Sequence, residues 1–227
     1  MKRTDFPSRK QAGFTLVEIA IVLVIIGLLL GGVLKGQEMI ENARIKSVVG
    51  DMNGVSAAYN SYLDRYHAIP GDETAATLAA RGWTGTAGGN GNGVLLITPA
   101  QTFTNGGEQA ALWRSLRAAG MTAGDPTAPA NATGLPRAGT TGLIGVTVGV
   151  YGLTGNAVCV SNLSTRQATG VDTTIDGPLP ATNIGNSVGL ARGATGAAQL
   201  APVVGAPAGT AYNETTVLTP WTMCRQM

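Results

Sequence analysis

The chain has 227 residues, room for one compact domain and an extension. Charged residues are 12% of it and aromatics 5%, with 33 glycines, a composition that excludes ordinary charge-rich disorder and points to a turn-rich domain with a light core. Net charge is +2, but Lys2, Arg3, Arg9 and Lys10 against Asp5 concentrate more than that in residues 1–13, so the remainder is slightly acidic and a nucleic-acid partner has little electrostatic support.

After the basic segment comes Phe14 to Leu34, FTLVEIAIVLVIIGLLLGGVL. As a helix this run spans roughly 30 Å, the thickness of a bilayer core. Basic residues ahead of it place the amino end in the cytoplasm and the bulk of the chain across the membrane. A cleaved secretory signal would have a shorter apolar core and a small-x-small exit, which GGVLKGQE does not provide. A plain anchor leaves Glu18 unexplained, since an ionisable group in hydrocarbon costs about 2.5–3.5 kcal/mol or more. A buried soluble helix would rarely be apolar all round for this length.

Gly13-Phe14-Thr15-Leu16-Val17-Glu18, with a basic leader before it and an apolar run after it, resembles the processing signature of type IV prepilins and type II secretion pseudopilins. The resemblance implies a prepilin peptidase that cuts between Gly13 and Phe14 and methylates the new amino group. It implies a protein that is processed and assembled and is not an enzyme. Glu18 would then meet the amine of a neighbouring subunit, because a charge pair in lipid is far less costly than one unpaired charge. Such a head-to-tail contact does not close and propagates as a fibre. Many members of the family carry a proline near position 35. Here the place is Lys35, flanked by Gly31, Gly32 and Gly36, which weaken a helix without removing a hydrogen bond.

Beyond Leu34, the residues Ile45, Val48, Val49, Met52, Val55, Tyr59, Tyr62, Leu63 and Tyr66 recur at steps of three and four, one apolar stripe on a continuing helix. Lys46, Asp51, Asn53, Asp64 and Arg65 take the rest of its surface. The spacing predicts that the stripe docks on a globular head. Gly50 and Gly54 argue against a free-standing helix, at about 1 kcal/mol each. The periodicity stops at Ile69-Pro70-Gly71-Asp72, a turn signal. The domains are therefore a leader at 1–13, a transmembrane half-helix at 14–34, an amphipathic half-helix at 35–68 and a head at 69–227.

Within the head, GGNGNG at 88–93 is a glycine-rich loop and not a phosphate loop, because no Lys-Ser/Thr follows. VLLIT at 94–98 reads as a short strand. Glu108 to Ala119 reads as a helix with Leu112, Trp113 and Leu116 on its apolar edge, stopped at Gly120. Residues 143–153 alternate, with Ile144, Val146, Val148 and Val150 on one face, and form the best strand signal in the chain. A helix is expected from Ser161 to Ala168.

Cys159 and Cys224 lie in the part placed outside the cytoplasm, where two cysteines read as one disulfide, with two buried thiols as the alternative. They do not make a zinc site with the single His67. Asp172, Thr173, Thr174 and Asp176 supply oxygens close together. Some pseudopilins bind calcium in a loop near the carboxyl end, so the resemblance marks Asp172 and Asp176 as calcium ligands, against a plain Asx turn. No other cofactor is implied, and no serine elbow, zincin motif or dinucleotide fingerprint is present.

The expected fold is α+β and pilin-like, a long amino-terminal helix packed on a small antiparallel sheet. The expected function is that of a pilin or pseudopilin subunit of a type IV pilus or type II secretion pseudopilus; the length of the chain leans toward a minor subunit, and the sequence leaves major and minor open. It would sit in the inner membrane with its head in the periplasm before joining the filament. Its partners would be the peptidase, other subunits, the assembly platform and the membrane. The alternatives are a tip adhesin or DNA-uptake subunit and a membrane-anchored envelope protein of another kind.

Overall fold

The computed structural model describes residues 15–83, 88–104, 106–127, 134–140, 142–215 and 219–227. The first element, α1, is a continuous helix over Leu16–Tyr66. The chain divides into two compact units between Glu41 and Asn42, inside this helix.

In the first unit every residue from Thr15 to Lys35 is exposed, Leu16 to 91% and Val24 to 63%. An apolar surface of this extent has nothing of its own unit to bury against. α1 is the one helix among the described residues long and apolar enough to cross a membrane.

In the second unit the rest of α1 buries Ile45, Val48, Met52, Val55, Tyr59 and Tyr62, with Val49, Leu63 and Tyr66 packed at the edge of the core. These are the residues of the predicted stripe. Ala58 joins them, a position too small to register as apolar in the pattern. The core therefore includes the carboxyl half of α1 and begins well before Ile69.

The remaining elements are α2 (Ala75–Ala80), a 3₁₀ turn (Pro99–Gln101), α3 (Glu108–Ala118), β1 (Ile144–Val148), β2 (Asn156–Leu163), α4 (Thr165–Asp176), β3 (Ala191–Thr195) and β4 (Trp221–Gln226). The four strands form one antiparallel sheet in the order β1-β2-β4-β3. The architecture is α+β, as expected. In β2 the register slips by one residue between Val160 and Leu163 opposite Met223 and Trp221. Asn162, at φ 58°, is the extra residue of this bulge, a backbone state that Asn tolerates better than most.

Several expectations are corrected. The strand expected over 143–153 is five residues long, and the chain then turns through Gly149, Tyr151 and Gly152, all at positive φ. Its second face is not open either. Gly145 lies so close to the Thr102 carbonyl that a Cβ there would come within 2.1 Å, so the face that looked polar is covered by the 3₁₀ turn and α3. Residues 94–98 alternate in burial, Leu95 and Ile97 inside, but are not a strand. Their backbone groups meet side chains instead, with Leu96 N–H donating to Glu108 and the Ile97 carbonyl accepting from Thr147 Oγ1. The helix expected from Ser161 starts four residues later. Ser161 belongs to β2, and Ser164-x-x-Gln167 is the capping box that sets the true start.

Candidate functional site

Thr15 and Glu18 close the amino end of α1. Glu18 Oε2 accepts from Thr15 N–H at 2.8 Å and from Thr15 Oγ1 at 2.9 Å, while Glu18 N–H donates to Thr15 Oγ1 at 3.2 Å. This is a Thr-x-x-Glu capping box, in which two orphan amides of the first turn find partners. The motif is legible in the residues themselves, yet the reading of Glu18 as an assembly acid passed over it. A carboxylate at this end also opposes the positive pole of the helix. The capping box holds it over the first turn, and Glu18 is four residues after Phe14 in sequence. Gly13 and Phe14 lie outside the described residues.

Residues 8–34 match the family model of the prokaryotic N-terminal methylation motif. The chain carries the amino-terminal signature of type IV pilin and pseudopilin precursors. The match spans the basic residues just before Gly13, the expected cleavage position and the whole apolar run. No curated protein matches the chain. The long apolar helix with a small antiparallel sheet is a pilin-like α+β architecture.

The head is tied together by a disulfide between Cys159 and Cys224, 65 residues apart. The two stand opposite each other on β2 and β4, with Cα atoms 4.0 Å apart, and both are fully buried. Of the two readings left open by the cysteine count, the bond is the one present.

The end of α1 is bound to the head by a charged node. Arg81 holds Glu73 in a fork, Nη1 to Oε2 and Nη2 to Oε1, each at 2.6 Å. Tyr62 donates to the same Glu73 Oε2 at 2.5 Å. Burial first, then the Glu73 carboxylate, pushes the Tyr62 phenol far above its ordinary value. The Arg81 guanidinium lies 4.6 Å from the Tyr66 ring centroid and 5.6 Å from that of Trp83, so its exposed side is sheathed by aromatic faces. Next to the node, Asp72 accepts the amides of Asn92 and Gly93 at 3.0 and 2.8 Å. The glycine-rich loop is thus a strap laid on residues 71–75. Gly89 is needed there because a Cβ would fall 2.1 Å from the Gly71 carbonyl. Sequence reasoning separated this loop from a phosphate loop but gave it no partner. His67 is exposed, one residue beyond the helix end, at φ 49°.

Asp172 and Asp176 lie on α4, one turn apart, and not in a loop. Asp172 is 2% exposed and accepts from Tyr212 OH at 2.7 Å. Asp176 accepts from the amides of Leu190 and Ala191 at 2.9 and 2.8 Å, anchoring the approach to β3. The two carboxylates share a helix face but serve different protein donors, and a calcium ion would have to displace those donors. Among the described residues no group of three His, Cys, Asp or Glu side chains is arranged to hold a metal.

Proposed function

We propose that the chain is a structural subunit of a type IV pilus or a type II secretion pseudopilus. In this reading it is cut between Gly13 and Phe14, methylated at Phe14, and held in the inner membrane by the apolar half of α1 with its head in the periplasm. It then passes into a filament in which Glu18 meets the Phe14 amine of a neighbour. The observation that carries this reading is the apolar segment from Leu16 to Leu34, exposed throughout, in a chain whose residues 8–34 match the methylation motif. Such a surface requires lipid or other copies of the same helix to cover it. One buried acid among apolar helices is tolerable only with a partner, and a new amino terminus four residues away in sequence supplies one.

The role is structural and not catalytic. Two pairs of buried ionisable groups in the head, Glu73 with Arg81 and Asp172 with Tyr212, bond to each other as structural pairs do. The deciding experiment is mass analysis of the amino terminus of chain recovered from membranes of cells that contain a prepilin peptidase. The expected species begins at Phe14 and carries one added methyl group. A chain that retains residues 1–13, or begins after Gly32 or Gly36, would refute the reading.

A further inference from the structure

The glycine-rich strap repeats one dipeptide, Asn90-Gly91 and Asn92-Gly93, and all of these residues are exposed. In an Asn-Gly pair the backbone nitrogen of the glycine can close on the side-chain amide carbon of the asparagine with little hindrance, because glycine carries no Cβ. By sequence the two pairs have the same reactivity.

Their surroundings in the fold differ. Gly93 N–H donates to Asp72 Oδ2 at 2.8 Å. That is within the reach of a general base for the proton it takes, about 2.6–3.2 Å. Asn92 Oδ1 accepts from Val94 N–H at 2.9 Å, so the amide carbonyl is polarised where negative charge gathers during attack on its carbon. Asp72 is fixed in place, 5% exposed, with Oδ1 accepting from Asn92 N–H at 3.0 Å. A nucleophile, a base and a donor to the developing oxyanion therefore converge on the Asn92 side chain.

Asn90-Gly91 has the donor but not the base. Asn90 Oδ1 accepts from Asn92 N–H at 3.0 Å. Gly91 N–H, however, donates to the main-chain carbonyl of Asp72 at 2.7 Å, and a neutral amide carbonyl is too weak a base to take that proton. The same loop thus supplies its own control, an equally exposed Asn-Gly pair that lacks only the carboxylate.

We propose that Asn92 is a self-modification site, at which Gly93 N attacks the side-chain amide with Asp72 as the base. The nitrogen forms a bond to Asn92 Cγ while its proton passes to Asp72 Oδ2. The bond from Cγ to Nδ2 then breaks, the proton moves from Asp72 to the departing nitrogen, and ammonia leaves a succinimide ring. Water opens the ring at either carbonyl and gives aspartate or isoaspartate, with nothing oxidised or reduced. Isoaspartate adds one carbon to the main chain between residues 92 and 93. It thereby draws Gly93 off Asp72 and unfastens the strap from residues 71–75. Neither the membrane nor the filament takes part in this chemistry.

The test is peptide mapping by mass spectrometry of the full chain in detergent micelles, aged in neutral buffer made with heavy-oxygen water. Conversion of amide to acid, with uptake of the heavy oxygen, is followed separately at Asn92 and Asn90. A second sample of the same chain is aged after reduction and unfolding in guanidinium chloride. In the native chain Asn92 should convert about ten-fold or more faster than Asn90, and faster than it does unfolded, a gain below what a well-placed base commonly supplies. In the unfolded chain, where no acceptor is fixed, the two sites should agree within about two-fold. Asp72→Asn, which cannot take the proton, should slow Asn92 in the folded chain by about ten-fold. Equal native rates at Asn90 and Asn92 would overturn the proposal, as would a native Asn92 rate below the unfolded one. So would a folded Asp72→Asn chain that converts at Asn92 as fast as the wild type or faster, since Asp72 would then only be holding the strap. The wild-type comparison decides the matter even where the variant does not fold.

Discussion

Glu18 stands three residues after Thr15, and α1 has no second carboxylate before Glu38. Its capping box supplies a local role that competes with the assembly role, and the two can be separated by substitution. Gln keeps the capping geometry and loses the charge, whereas Ala loses both. If Glu18 pairs with a neighbour's amine, Glu18→Gln and Glu18→Ala should both insert and be processed, while incorporation into sheared filaments falls about ten-fold or more for each, the loss expected when a charge in an apolar site loses its partner. Normal incorporation of the Gln variant with failure of the Ala variant would assign the residue to the cap alone. Asp172 offers a second residue-level test. Burial raises its carboxyl above the ordinary carboxylate range, Asp176 adds to the rise, and the hydrogen bond from Tyr212 opposes it. A folded value above the unfolded one means that its stabilising contribution is complete in acid and is lost as pH rises through the folded value. Asp172→Asn keeps an acceptor for Tyr212 and cannot ionise. Urea midpoints should therefore show the variant gaining on the wild type as pH rises above about 4, the ordinary carboxylate value, and a gap that is constant with pH would contradict the assignment.

Among the elements, α1 was the most legible and for a simple reason. Its information is local, a continuous apolar run followed by an i, i+3, i+4 stripe, and the structure buries that stripe. The glycines within it are a separate choice. Gly50→Ala and Gly54→Ala meet no described neighbour, so each should stabilise the second unit by about 1 kcal/mol, seen as a higher denaturation midpoint. A loss of stability would mean that another part of the chain packs over these two positions. The helix start at Ser164 was also written in the residues, as Ser-x-x-Gln, but Ser161 three residues earlier presents a similar hydroxyl and only the paired Gln167 distinguishes them. Residues 94–98 were misread as a strand because alternating burial does not require a ladder. Here the side chains of Glu108 and Thr147 satisfy the backbone in place of a neighbouring strand.

For the molecule as a whole, the Cys159–Cys224 bond ties two neighbouring strands across a closed loop of 65 residues. In the loop-entropy account such a bond is worth about 4 kcal/mol, with the mechanism dependent on the model used. Replacing both cysteines by Ser should lower the denaturation free energy by about 2–5 kcal/mol. Because both sulfurs are fully buried, the native chain should resist dithiothreitol until denaturant opens the head. Rapid loss of the bond in native buffer, followed by thiol labelling, would show that the strands open independently of the core.

The apolar run, the processing signature, the docking stripe and the end of the helix near Ile69 were all readable in the chain, since each is a contiguous pattern whose physics is set by neighbours in sequence. The strand order was not, because β3 is built from Ala191, Arg192, Gly193, Ala194 and Thr195, which show no apolar alternation. Small residues are needed there because Gly193 packs on Met223, where a Cβ would come 2.3 Å from Sδ, and that requirement exists only once β4 lies beside it. The same holds for the site residues. Thr15 and Glu18 meet within one turn, so their box is a local fact. Asp172 meets Tyr212 across 40 residues, a separation at which spacing carries no information and only the packed core decides.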